Sequence, residues 1–279
     1  MIRLDCSLPA GLSNTPTRAV TISVVIPALN EAANLPHVFE RLPDCVDEVV
    51  LVDGYSIDDT IAVAQELRPA VRVVLQGGRG KGNALACGFA AARGDIIVML
   101  DADGSTDPAE ILQFVAPLLA GADFAKGSRF ISGGGTADIT LVRRAGNRLL
   151  VLVTNLLWRT RYTDLCYGYN AFWRRCLASL QVDCDGFEVE TLINVRIARA
   201  GLRTVEVPSR EAERIHGESK LCAFRDGRRV LRTIVQERFR STARESDKWR
   251  PLYSEVVSDA AARETGGLTG HAYQPAQAS

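Results

Sequence analysis

Two aspartates separated by one residue, Asp101-Ala102-Asp103, follow directly on an apolar run from Ile96 to Leu100. A short apolar run of this kind reads as a buried strand, so both carboxylates emerge at its carboxyl end. Two further runs end the same way. Ile22 to Ile26 leads into Pro27-Ala28-Leu29-Asn30-Glu31, and Glu48 to Val52 leads into Asp53-Gly54-Tyr55-Ser56. Carboxylates gathered at one edge repel each other unless a cation sits among them. A hard divalent ion such as Mg²⁺ or Mn²⁺ suits oxygen ligands and can bridge carboxylates to phosphates. Asp101 and Asp103 are therefore the expected metal ligands, and a nucleotide diphosphate is the expected leaving group, because a metal stabilises its developing charge.

Gly77-Gly78-Arg79-Gly80-Lys81-Gly82 adds a basic, glycine-rich loop through which backbone and Lys81 can approach a nucleotide. There is no Walker loop, and no Gly-x-Gly-x-x-Gly follows the first strand, so kinase-like and dinucleotide-binding readings lose their main support. A nucleotidyltransferase would carry an Arg/Lys-bearing glycine loop where Pro-Ala-Leu-Asn-Glu (27–31) stands.

The elements that must position these residues read as strands alternating with helices. Strands are expected at Ile22–Ile26, Glu48–Val52, Val71–Leu75, Ile96–Leu100 and Ala122–Lys126, with helices over 32–42, 58–68 and 81–93. Continuously apolar strands alternating with helices imply a parallel sheet covered on both faces. Asp107, Pro108 and Glu110 mark a helix start, as N-cap, first-turn proline and acidic partner. Beyond residue 130 the alternation loosens into a Gly133-Gly134-Gly135 loop, an apolar helix over 141–158, a mixed region and a strand at Val205–Pro208. A last helix over 222–240 carries a stripe of Leu231, Val235 and Phe239 flanked by arginines. That pattern suits either packing on the sheet or an anionic bilayer surface. Residues 1–20 read as an irregular segment, 21–240 as one catalytic domain, and the polar 241–279 as a disordered tail.

The 279 residues balance 33 basic against 33 acidic side chains, which gives no reason to expect a nucleic-acid partner. Seven cysteines without a Cys-x-x-Cys pair indicate neither zinc nor a disulfide framework and suit reduced thiols in the cytoplasm. No run approaches the roughly 18 apolar residues of a membrane span, and no signal-peptide pattern opens the chain. Membrane contact is expected to be peripheral, on the inner face of the plasma membrane.

In order along the chain, Val24–Glu31, Val52–Thr60, Gly80-Lys81-Gly82, Asp101 to Pro108, Gly127-Ser128-Arg129, the triple glycine and Gly217-Glu218-Ser219-Lys220 together resemble family 2 glycosyltransferases, closest to the dolichol- and polyprenyl-phosphate mannose synthase group. The resemblance spans about residues 21–240. It implies an α/β, Rossmann-like GT-A fold, with a mostly parallel sheet flanked by helices, a C-terminal amphipathic helix and no transmembrane segment. It implies a metal-dependent, inverting transfer of a hexose from GDP-mannose or a UDP-sugar to a polyprenyl phosphate. Pro27, Glu31 and Asp53 should line the base and ribose pocket, with Ala28, Asn30, Ser56, Lys81, Ala102 and Lys220 in the same donor site. Asp101 and Asp103 should face the metal, and Arg129 and Arg143 should grip phosphate, with Asn147 and Arg144 as further candidates. The chain departs from the group at Gly54, where a second Asp is frequent, and at Gly104-Ser105, where a side chain such as Gln often stands near the metal. If the acceptor were instead a sugar hydroxyl, in polysaccharide or glycoside synthesis, a general base would be needed, and Glu188 or Glu190 is the candidate. A nucleotide-sugar-binding protein without activity is the remaining alternative.

Overall fold

The computed structural model describes residues 19–137, 139–217 and 222–240. Lys220, the polar tail and nearly all of the N-terminal segment, which were expected to contribute a donor-site residue, disorder and irregular chain, lie outside them. The expected strands form, with shifted ends: β1 (Ile22–Ala28), β2 (Glu48–Asp53), β3 (Arg72–Leu75), β4 (Ile96–Met99), β5 (Phe124–Ser128) and β8 (Thr204–Pro208). β7 (Asn170–Trp173) comes from the region without clear periodicity, and a short ribbon pairs β6 (Gly135–Thr136) with β9 (Arg210–Glu211). The helices are α1 (Leu35–Phe39), α2 (Thr60–Leu67), α3 (Gly80–Ala91), α4 (Ile111–Leu119), α5 (Leu141–Trp158), α6 (Leu177–Leu180), α7 (Val189–Arg199) and α8 (Ala223–Phe239).

In the described residues the main sheet has seven strands in the order β3-β2-β1-β4-β7-β5-β8. β1 to β4 run parallel, β7 runs antiparallel to both neighbours, and β5 pairs β8 in parallel. The chain therefore proceeds outward from β1 to β3 and then returns to place β4 on the other side of β1. Such a reversal leaves a crevice beyond the carboxyl ends of the two central strands, where open α/β sheets take their ligands.

Two apolar layers sandwich the sheet. Val24, Ile26, Leu51, Val98 and Phe114 occupy one face, and Val25, Val50, Val52, Leu85 and Ile193 the other. Pro27 was expected to end β1, yet the strand continues to Ala28. Pairing with β4 stops at Val25↔Met99 while pairing with β2 runs on to Ala28↔Asp53. The missing N–H of Pro27 thus points to the side where no partner remains, the kind of edge where a strand tolerates proline.

α8 does not lie on the sheet. Val230 and Ile234 bury against Leu150 and Val195 of α5 and α7, while the Leu231, Val235 and Phe239 stripe stays 45%, 46% and 82% exposed. The inward seam sits one residue before the stripe that the sequence periodicity suggests. Arg196 of α7 fixes this contact: its guanidinium donates to Asp183 at 2.6 Å and to Glu237 of α8 at 2.8 Å.

α3 is wedged without side-chain padding. A Cβ on Gly82 would lie 2.3 Å from the Cys184 carbonyl oxygen, and the Gly82 N–H donates to the Asp185 carbonyl at 3.0 Å. A Cβ on Gly227 of α8 would meet nothing within 4 Å. Gly82→Ala should therefore lose about 1–3 kcal/mol to overpacking, despite a better helix propensity. Gly227→Ala should gain about 0.5–1 kcal/mol. Urea unfolding of the two variants reads the opposite signs.

Candidate active site

Beyond the ends of β1 and β4 lies a cavity of about 300 Å³ whose wall includes Pro27, Ala28, Glu31, Gly54, Lys81, Asp101, Ala102, Asp103, Arg143 and Glu190. Nine residues singled out from the sequence as candidates thus meet at one place, at the reversal of strand order. Two wider clefts flank it, one beside α8 and one beside the glycine loop.

Lys81, in the first turn of α3, ties the floor together. Its Nζ donates to Asp101 Oδ1 at 2.7 Å and to Glu190 Oε1 at 2.7 Å. Burial by itself would depress the Lys81 pKa, but Asp101 and Glu190 outweigh it and hold the group above its ordinary value, so it is an ammonium at neutral pH. Burial pushes the Asp101 carboxyl up, and neighbouring Asp103 and Glu211 add to this while Lys81 opposes it. There is no spare room here: a Cβ on Gly168 would come within 2.8 Å of Asp101 Oδ2 and 2.9 Å of Lys81 Nζ.

Asp103 turns the following loop, accepting from Ser105 N–H at 3.0 Å and Ser105 O–H at 2.7 Å. Its other oxygen faces Arg214 Nη1 at 3.6 Å, and Arg214 also donates to Glu31. Arg214 belongs to a strap, residues 211–216, that crosses the mouth. The Ala212 N–H donates to the Ser105 carbonyl at 2.7 Å, and the His216 N–H to Asn34 Oδ1 at 3.0 Å.

Asp53 stands behind Gly54, 1% exposed. Its Oδ2 accepts from the Ser56 N–H at 3.0 Å, whereas Oδ1 is buried with no partner among the described residues. Asn30 and Ser56 are not on the wall. They stitch the two loops, the Asn30 N–H donating to Ser56 Oγ at 2.9 Å and Asn30 Oδ1 accepting from the Ile57 N–H at 2.8 Å.

Other expected residues stand elsewhere. Arg129 is buried and is not among the residues that line the cavity. It forks onto Asp164 at 2.7 and 2.9 Å, and donates to Glu211 at 2.9 Å and to the Cys166 carbonyl at 2.9 Å. Each of its three guanidinium nitrogens donates to a partner inside the fold, whereas the expectation was a phosphate grip. Asn147 accepts from the Leu165 N–H at 3.1 Å, a structural role, and Arg144 lies over the Phe130 ring. Glu188 heads α7 and lines the neighbouring cleft. Arg214, Glu211 and Gly168 join the wall without any sequence signal that singled them out. Cys166 does too; burial pushes its thiol up to about 12, so it stays protonated and is no nucleophile.

The Asp101 and Asp103 oxygens are hard donors suited to Mg²⁺ or Mn²⁺. Among the described residues no group of three His, Cys, Asp or Glu converges to hold a metal unaided. Two carboxylates with open positions fit an ion shared with phosphate oxygens and water.

The model of a known protein family, Glycosyl transferase family 2, matches residues 23–180. The chain belongs to glycosyl transferase family 2. This glycosyltransferase is 32% identical over 209 residues to a dolichol-phosphate mannosyltransferase of Pyrococcus furiosus, covering 72% of the chain and 59% of that relative. It is 33% identical over 211 residues to the polyprenol monophosphomannose synthase of Mycolicibacterium smegmatis, covering 71% and 80%. The structure of glucosyl-3-phosphoglycerate synthase from Mycobacterium tuberculosis with Mn²⁺, uridine diphosphate and glucosyl-3-phosphoglycerate superposes with a TM-score of 0.62 at 28% identity, covering 80% of this chain and 82% of that one. The glycosyltransferase thus has the GT-A fold expected of it, and no helix among its described residues is long and apolar enough to cross a membrane.

Its two sequence-selected arginines separate in experiment. Arg129→Met leaves Asp164 buried without its partner, and should lower stability by about 3–5 kcal/mol. Burial raises the Asp164 pKa but Arg129 outweighs it and holds the group below its ordinary value. The stability it contributes is present above the unfolded carboxylate value of about 3.9 and is lost as pH falls through the lower folded one. Arg143→Met should leave the melting temperature within about 1–2 °C and lower turnover about 10–100-fold, the share of one charged hydrogen bond to phosphate. Thermal melts beside turnover assays check both.

Proposed function

We propose that the enzyme moves a hexose from a nucleoside-diphosphate sugar, GDP-mannose or a UDP-sugar, to a polyprenyl phosphate at the cytoplasmic membrane face, with inversion. The observation that carries the choice of acceptor is the 2.7 Å ion pair between Glu190 and Lys81. A sugar hydroxyl needs a base within reach, and Glu190, the candidate on the cavity wall, has an oxygen engaged by an ammonium. A phosphate oxygen is already anionic and attacks without one. The dolichol and polyprenol names of the relatives agree with this reading.

In the proposed reaction one acceptor oxygen displaces the nucleoside diphosphate in line at the anomeric carbon, so configuration inverts once. Asp101 and Asp103 would hold a divalent metal that, when bound, supplies positive charge to the departing diphosphate. Pro27, Ala28 and Glu31 shape the nucleotide side of the cavity, with Asp53 buried behind Gly54. Lys81 keeps a permanent positive charge at the floor, and Arg143 brings a guanidinium from the first turn of α5. The exposed Leu149, Leu152 and Leu156 of α5, with the outward stripe of α8 and its arginines, support peripheral contact with an anionic leaflet.

The test is transfer from radiolabelled GDP- and UDP-sugars, with Mg²⁺ or Mn²⁺, to a short polyprenyl phosphate in detergent. Labelled lipid is the expected product. Donor hydrolysis without labelled lipid would overturn the acceptor and direct the search to hydroxyl acceptors. Asp103→Ala should lower metal-dependent turnover by at least about 100-fold, as loss of one transition-state electrostatic contact does, with an unchanged circular dichroism spectrum. Undiminished turnover would sink the metal assignment.

A further inference from the structure

The cavity places both metal-facing carboxylates against cations of the chain itself. Asp101 meets Lys81 at 2.7 Å, and Asp103 meets Arg214 at 3.6 Å. The Lys81 contact is built tightly. Glu190 holds the ammonium from the opposite side at 2.7 Å. Gly168 closes over Asp101 and Lys81 at distances that exclude a Cβ and lies close to Glu190, and Gly80, at φ 86°, presses the start of α3 against the Asp185 backbone. The Lys81 side chain keeps only 12% exposure.

A lysine held this way is an internal counter-ion. It removes the repulsion that gathered carboxylates would otherwise suffer, and with it much of the attraction that the bare cluster would exert on a free metal ion. We propose that Lys81 couples metal loading to nucleotide binding: it occupies the charge of Asp101 in the empty site, and the arriving diphosphate draws the ammonium off Asp101 while Glu190 keeps its hold on it, leaving Asp101 for the metal. The metal and nucleotide then bind together rather than the metal alone. This rests on the metal reading proposed above, and concerns the order of events at the same site.

Coupling of this kind is reciprocal, and typically amounts to about 5–150-fold in affinity. The measurement is Mn²⁺ binding, followed by loss of the free-ion electron paramagnetic resonance signal, with and without GDP or UDP. It is made on the full chain and on Lys81→Gln, Lys81→Met and Lys81→Arg. Glutamine keeps a neutral N–H donor, methionine keeps length only, and arginine keeps the charge; thermal melts establish which variants fold. Expected is Mn²⁺ binding without nucleotide that is at least about tenfold tighter in the neutral variants than in the unmodified chain. The enhancement by nucleotide should shrink by a similar factor in them, and Lys81→Arg should behave like the unmodified chain. If the unmodified chain binds Mn²⁺ with GDP or UDP, but neither neutral variant binds it more tightly without nucleotide, the counter-ion role is overturned and the metal reading stands. If the unmodified chain takes up no Mn²⁺ with either nucleotide, the metal reading falls and the coupling falls with it.

Discussion

Parallel strands end together, so a sheet that reverses its order between β1 and β4 delivers whatever follows those strands to one small volume. Here that means Glu31, Asp101 and Asp103, and their mutual repulsion must be balanced for the edge to exist at all. Lys81 and Arg214 supply the balance from α3 and from the strap. Much of the first half of the chain can be read as the means of holding those two cations in position.

The second half of the chain is held by buried charge. Arg129 joins Asp164 to Glu211, Arg196 joins Asp183 to Glu237, and Lys126 lies against Glu206 with its side chain wholly buried. Each of these cations reaches acidic partners or carbonyls, the condition under which burial of a charge is tolerable. Arginine is suited to the role because its planar fork meets a carboxylate with two hydrogen bonds. Arg129 thereby matters to the site without touching it, since the Glu211 that it holds stands on the cavity wall at the root of the strap.

The strand ends were legible because a buried parallel strand is apolar throughout and stops where its polar residues begin. Asp101, Asp103 and Pro27 were singled out by that alone, and Lys81 by its basic, glycine-rich loop. β7 was not legible: four residues, Asn170–Trp173, carry no period long enough to identify a strand. The fork of Arg129 was not legible, because a motif gives the residue type but not its partner, here Asp164, 35 positions away. Arg214 gave no signal at all in an arginine-rich chain. On α8 two apolar seams lie one residue apart, and periodicity favoured the three-residue outer seam over the shorter one, Val230 and Ile234, that packs.

The glycines of α3 carry a mechanical consequence. Gly80 and Gly82 abut the backbone of residues 184–185, and Gly88 abuts Val25 and Val52, all closer than any Cβ would permit. A helix seated on backbone and strand at both ends has no slack in which to slide or roll. The strap opposite is attached through side-chain ions and a few hydrogen bonds at its edges, contacts of the kind that open locally before a core does. The two walls of the cavity therefore differ in stiffness, and a ligand too large for about 300 Å³ would have to displace residues 211–216 rather than α3.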